Sequence, residues 1–219
     1  MDINVLLEYL PLYGEAFLLT LRIGWLGILL SFFIGVACAF ILYFRIPILR
    51  TIVKAYIELF RNTPLLVQLF FLYFGLPKLG FHISALSCGV LGLGLLGGSY
   101  MTEALRSGLE AVEPMQIQSA LALSMNKRQI FAHIILPQAI ASSMPPILAN
   151  VIFLLKETSV FSAISLMDLM FTAKDLIGLY YKTTECLFLL VVFYILMLLP
   201  VSVLGSILEK KVRYAGFGE

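Results

Sequence analysis

EPMQIQSALALSMNKRQIFAHIILP, residues Glu113 to Pro137, is a polar, amphipathic segment in a chain that is otherwise apolar almost throughout. Pro114 suits the first turn of a helix, and Ile117, Leu121 and Met125 follow at one-turn spacing. Asn126 with Gln129 three residues on reads as an N-cap and its capping-box partner, opening a second helix whose face carries Ile130, Ile134 and Ile135. The segment predicts two short helices meeting near Ser124 to Asn126. A short helix held between two apolar arms can fit a groove on a soluble partner and pass that partner's motion into the arms.

The arms are membrane spans. Of 219 residues 61% are hydrophobic and only 13% charged, against about 25% charged in soluble domains. The chain reads as an all-α integral membrane protein. A net charge of +2 with no block of like charge gives no reason to expect nucleic acid. Cys38, Cys88 and Cys186 lie singly in apolar runs, with no CxxC or Cys/His pairing, and read as small hydrophobic residues, so no metal site is expected. Asp2, Glu8 and Glu15 precede a long apolar run, unlike the basic start and short core of a cleaved signal peptide, so the first helix is expected to be retained.

A bilayer core needs about 20 apolar residues in helix. Ile23 to Phe44 and Cys186 to Leu208 meet that without a charge, and Leu79 to Thr102 is interrupted only by His82. The fourth span opens near Pro137, and Ala55 to Leu76 spans only if Glu58 and Arg61 lie a turn or two inside its first end. Five spans are predicted, at 17–44, 55–76, 81–105, 137–156 and 186–208, with the polar loop at 109–136. DINVLLEYLPLY, before the first span, predicts a short helix at the outer interface. Gly27, Ser31, Gly35 and Ala39 recur every four residues, as do Gly94 and Gly98, a spacing that lets two helices approach closely or that simply reflects small-residue-rich helices.

Lys and Arg set the orientation, because positive loops stay cytoplasmic. Arg45, Arg50 and Lys54 follow the first span; Arg106, Lys127 and Arg128 the third; Lys210, Lys211 and Arg213 the fifth. Those regions and the C-terminus are expected inside, with the N-terminus outside. The loop Thr158 to Glu185 is balanced in charge and decides nothing.

No GxxxxGK[ST], HExxH or GxSxG is present, and the two histidines, His82 and His133, fall on opposite sides in this topology. The chain is not expected to be an enzyme. Any ATP is hydrolysed by another subunit, and a single five-helix bundle is small for a conduit, which points to a pair of such chains.

The polar loop also resembles that of the permease subunits of ABC importers for polar amino acids, the histidine/glutamine/arginine type. Their loop carries E-A-A, three residues, G, nine residues, then I-x-L-P; here Gln118, Ser119, Ala120, then Ser124, then Ile134-Ile135-Leu136-Pro137 stand at matching spacing. Gln118, Ser119 and Ser124 replace the usual Glu, Ala and Gly, and Met115 stands before Gln116 where Gly is common. YIELFRNTPLLVQLFFLYFGLP, SYMTEALRSGLEAV, ILPQAIASSMPPILAN and LLKETSV resemble the family elsewhere, in the family's order. The resemblance implies the type I ABC importer permease fold in the inner membrane. It further implies a second permease, a pair of ATP-binding subunits holding ATP and Mg, and an extracytoplasmic binding protein that delivers a polar amino acid.

On this reading Met115, Gln116, Gln118, Ser119, Ala120, Leu121, Ala122 and Ser124 form the coupling helix and its end. Charges within a span are costly and mark functional sites, which singles out Glu58 and Arg61 with Thr63, and Lys156, Glu157, Thr158 and Ser159. Glu58 and Arg61, three apart, either form an ion pair that anchors the second span, with Pro64 kinking it, or belong to the substrate path. Lys156 to Ser159 either expose backbone and hydroxyls to a zwitterion at a helix break, or hold a lysine that snorkels to the interface. A membrane scaffold that docks a soluble partner through the same loop is the reading from another class.

Overall fold

The computed structural model describes the backbone of residues 2–217 and the side chains of residues 2–212, so the side chain of Arg213, used above for orientation, lies outside the described residues. The described chain is helical, with no strand. In order it forms α1 (Ile3–Tyr43), α2 (Leu49–Arg61), α3 (Leu65–Phe70), α4 (Ala85–Glu110), α5 (Pro114–Ala122), α6 (Lys127–Ile130), α7 (Leu136–Glu157), α8 (Leu169–Tyr180) and α9 (Thr183–Phe217). Four helical stretches are long and apolar enough to cross a bilayer, namely Ile3–Tyr43, Ala85–Glu110, Lys127–Ile164 and Thr183–Val212, and the bent pair Leu49–Arg61 with Leu65–Leu79 makes a fifth when counted as one broken span.

Three boundaries differ from the sequence expectation. The first dozen residues are not a separate interfacial helix but the start of α1, whose 41 residues extend about 61 Å, twice a bilayer core. Contacts with the far end of the chain hold that extension in line: Tyr13 Oη donates to Cys186 O at 2.7 Å, and the Tyr9 and Tyr180 rings lie 5.9 Å apart. The span expected at 55–76, kinked at Pro64, turns by as much as 103° between α2 and α3. The loop 158–185 is largely ordered helix, a 3-10 turn (Thr158–Ile164) followed by α8, whose N-cap Asp168 accepts from the Met170 and Phe171 amides at 3.3 and 3.0 Å.

α1 against α4 is the axis of the bundle, and the small-residue spacing is a true contact. A Cβ on Gly27 would stand 2.6 Å from Leu93 Cβ, and one on Gly97 would stand 2.7 Å from Ser31 Cβ. The missing side chains let the helices close until Leu93, Leu96, Leu154, Leu155 and Phe161 fill the core around Ile23 and Ile28.

Two π turns, Phe71–Gly75 and Phe131–Ile135, each end two residues before a proline. In both, the next residue's amide reaches five residues back, Leu76 to Phe71 O and Leu136 to Phe131 O. Widening the helix by one residue there relieves the clash that Pro77 and Pro137 would make with the preceding turn.

Candidate functional site

α5 is mounted on the bundle by one face only. Ala120 is buried among Val112, Ile130 and Ile135, with Ile117 and Met125 against them. Gln116 Oε1 accepts from Gln138 Nε2 at 2.6 Å, tying α5 to the first turn of α7. The other face is open: Met115 is 71% exposed and Leu121 54%, with Gln118, Ser119 and Ala122 exposed beside them. Of the eight coupling residues expected from sequence, seven are thus presented outward or held at the α5 mount and one, Ala120, is the anchor. The capping box forms as read, Asn126 Oδ1 accepting from Gln129 N at 3.0 Å and Gln129 Oε1 from Asn126 N at 2.9 Å.

Ser124 takes a left-handed backbone, φ 59, where α5 hands over to α6. That conformation costs a non-glycine residue about 1 kcal/mol, which gives the glycine of the related loop motif its physical reason. Ser124→Gly is expected to stabilise the loop by about 1 kcal/mol. Slower hydrogen exchange of the α5 amides would show it; unchanged or faster exchange would refute it.

The second span breaks at Asn62-Thr63-Pro64, and side chains satisfy the groups the break exposes. Gln68 Nε2 donates to Phe60 O and Thr63 O, both at 3.1 Å, and to Thr63 Oγ1 at 2.9 Å. Thr63 Oγ1 donates to Leu59 O at 2.8 Å. Asn62 Nδ2 donates to Glu58 Oε2 at 3.0 Å. Gln68 Oε1 is buried with no hydrogen-bond partner among the described residues, an open acceptor at the break.

The anchoring pair expected between Glu58 and Arg61 does not form among the described ion pairs. Arg61 instead lies 3.8 Å from Glu103 on α4, with its guanidinium 5.3 Å above the Tyr100 ring, while Asn62 occupies Glu58. Glu103 also takes two bonds from Arg106, at 3.2 and 2.8 Å, and Arg106 reaches Glu110 at 2.7 Å. The i, i+3, i+7 spacing of Glu103, Arg106 and Glu110 was the sequence signal for this network.

The fourth span does not break at Lys156 to Ser159. Its helix tightens from α7 into the 3-10 turn, and Thr158 Oγ1 turns back to Leu155 O at 2.7 Å. Lys156 is exposed on an apolar groove of about 610 Å³ between α7 and α9 with Tyr194, whereas Glu157 is half-buried. Neighbours on a helix point about 100° apart, so the two charges that were to share a site lie on different faces. α3, just past the break, packs against the Thr158–Ile164 turn, which makes the broken second span and the end of the fourth span neighbours. Gln68 and Gln138 escaped the sequence reading because single amides in apolar runs carry no spacing signal. Among the described residues no group of three His, Cys, Asp or Glu could hold a metal ion.

A bundle of spans with an interrupted helix inside and a helix mounted outside defines a multi-pass helical membrane protein. Residues 10–214 match the family described as binding-protein-dependent transport system inner membrane component, and the chain belongs to that family. It is 32% identical over 171 residues, 78% of each chain, to the "Probable glutamine ABC transporter permease protein GlnP" of Bacillus subtilis (strain 168). It is 36% identical to the "Probable amino-acid ABC transporter permease protein y4tF" of Sinorhizobium fredii (strain NBRC 101917 / NGR234), over 95% of this chain and 96% of that one. The crystal structure of an amino acid ABC transporter with histidines superposes with a TM-score of 0.90 at 31% identity, covering 96% of this chain and 99% of that one. The inward-facing MetNI methionine ABC transporter superposes with a TM-score of 0.78 at 18% identity and shares the fold.

Proposed function

We propose that this chain is the membrane-spanning permease subunit of an ATP-driven importer that moves a polar amino acid into the cytoplasm by alternating access. It pairs with a second permease, its own copy or a homologue. Separate ATP-binding subunits hold ATP and Mg and dock on α5, and an extracytoplasmic binding protein delivers the substrate opposite them. The N-terminus lies outside and the C-terminus in the cytoplasm, as the basic residues at the α1, α4 and α9 ends favour.

The observation that carries this reading is the mount of α5. Its outer face is free for a partner, while Ala120, packed on Val112, Ile130 and Ile135, and the Gln116–Gln138 bond tie it to the segment that leads into α7. Motion imposed on α5 is therefore passed to the span that ends at Glu157 and the 3-10 turn beside α3. A cysteine at Gln118 is expected to cross-link to the ATPase subunit in an active complex. An active complex that gives no cross-link from Gln118 or its neighbours sinks the docking assignment and favours a membrane scaffold.

The substrate path runs past the broken second span, with Glu58, Arg61 and Thr63 on one side and Lys156, Glu157, Thr158 and Ser159 on the other. Buried backbone and amide groups at such breaks suit a zwitterion, and the open Gln68 acceptor lies at this one. Glu58→Gln and Lys156→Met are each expected to lower substrate-stimulated ATP hydrolysis several-fold, roughly the loss of one charge-assisted bond, without loss of assembled complex. Full stimulation in both variants removes these two side chains from the path.

A further inference from the structure

The corner between α1 and α2 carries three cations that the transport reading does not use. Arg45, Arg50 and Lys54 line an open cavity of about 580 Å³ together with the network of Glu58, Arg61, Glu103, Arg106 and Glu110. The carboxylates of that network are engaged, Glu103 and Glu110 by Arg106 and Glu58 by Asn62. Arg45, Arg50 and Lys54 have no ion-pair partner among the described residues. Arg50 and Lys54 are one turn apart on α2, and Arg61, which Glu103 engages, follows about 10 Å beyond Lys54 along the axis.

The same corner is apolar at its rim. Phe44, Ile48 and Ile52 are all more than half exposed, Ile48 at 77%, immediately beside the three cations in sequence. Unpaired cations with exposed apolar side chains at the end of a spanning helix match a molecule that has an anionic head and an acyl tail. We infer that the α1–α2 corner binds the headgroup phosphate of an anionic phospholipid of the cytoplasmic leaflet. Arg45, Arg50 and Lys54 surround the phosphate, and Phe44 and Ile48 lie along the glycerol and upper chains. An acidic protein surface would satisfy the cations and leave the apolar rim unmatched, which makes the lipid the better occupant. Placing this corner in the cytoplasmic leaflet rests on the proposed topology; the chemistry of the site does not.

Native mass spectrometry of the intact transporter complex in mild detergent tests the inference independently of sidedness. The probes are phosphatidylglycerol, phosphatidylcholine and inorganic phosphate. The unaltered complex is expected to retain phosphatidylglycerol over phosphatidylcholine, and Arg50→Gln/Lys54→Gln to weaken that retention about tenfold or more. Lys210→Gln/Lys211→Gln, an equal charge change at the end of α9, is expected to leave it within about twofold. No preference in the unaltered complex, or equal loss in both variants, overturns the site. So does displacement of the lipid by inorganic phosphate at equal concentration, which would make the ligand a free anion. Release of the ATPase subunit by the α2 variant without a lipid preference would make the partner protein the occupant and refute the lipid. Labelling of a Ser124→Cys variant by an impermeant reagent from the outside of cells would overturn the topology alone.

Discussion

Gly35→Leu is expected to eliminate the folded permease. A Cβ at this position would lie 2.5 Å from Met101 Cβ, 3.1 Å from the Met101 carbonyl carbon and 3.2 Å from the Thr102 amide nitrogen. Two of those atoms are backbone of α4 and cannot swing aside as a side-chain tip would. The clash must separate α1 from α4, the pair on which the core is built. Ordinary overpacking costs about 1–3 kcal/mol, and prying apart the main helix pair exceeds that, against a total stability of about 5–15 kcal/mol. The yield of monodisperse protein in mild detergent should fall at least about tenfold, while Gly14→Leu, where a Cβ meets nothing within 4 Å, should keep it. Equal yields from the two variants would show that the α1–α4 approach does not hold the fold.

The second large effect concerns coupling rather than folding. Met115 and Leu121 are exposed apolar side chains on a helix whose opposite face is anchored, so they are the residues a docking groove would bury. Leu121→Asp leaves the bundle untouched but forces an unpaired carboxylate into that groove, at a cost of about 2 kcal/mol or more. The complex with the ATPase subunit should weaken by at least about thirtyfold, with the helical content and yield of the permease unchanged. Undiminished association would move the docking surface away from α5. Association lost together with yield would show that Leu121 belongs to the fold.

The spans were legible because bilayer thickness imposes a length that composition alone reveals, and the capping box because its two residues carry a fixed spacing. The contact through Gly27, Ser31 and Gly35 was half legible: the period named the face, but only the structure names Leu93 and Met101 as what it meets. Pro64 announced a kink, yet a 103° turn depends on Gln68, four residues later, reaching back to the carbonyls of Phe60 and Thr63. α8 was invisible because its charges balance and its packing partners, Tyr9 and Tyr13 on α1, are more than 150 residues away in sequence. The Glu58–Arg61 pair failed for a similar reason. Local spacing proposed it, while a tertiary neighbour, Glu103, took the arginine.

The resemblance of the loop to a permease motif survived three substitutions, and one of them now has a physical reading in the left-handed Ser124. Gln118 is exposed on the open face of α5 and contacts nothing in the chain through a described hydrogen bond, so nothing in the fold calls for a glutamate there.

The most direct test of the central claim is ATP hydrolysis by the complete complex of permease, ATPase and binding protein in lipid vesicles. Acidic, basic, amide and sulfur amino acids are added in turn. Import coupled through α5 predicts a rise in hydrolysis with one chemical group of amino acids, dependent on the binding protein and lost with Leu121→Asp. A flat response from an intact, nucleotide-binding complex across every group would contradict it and leave a docking scaffold in its place.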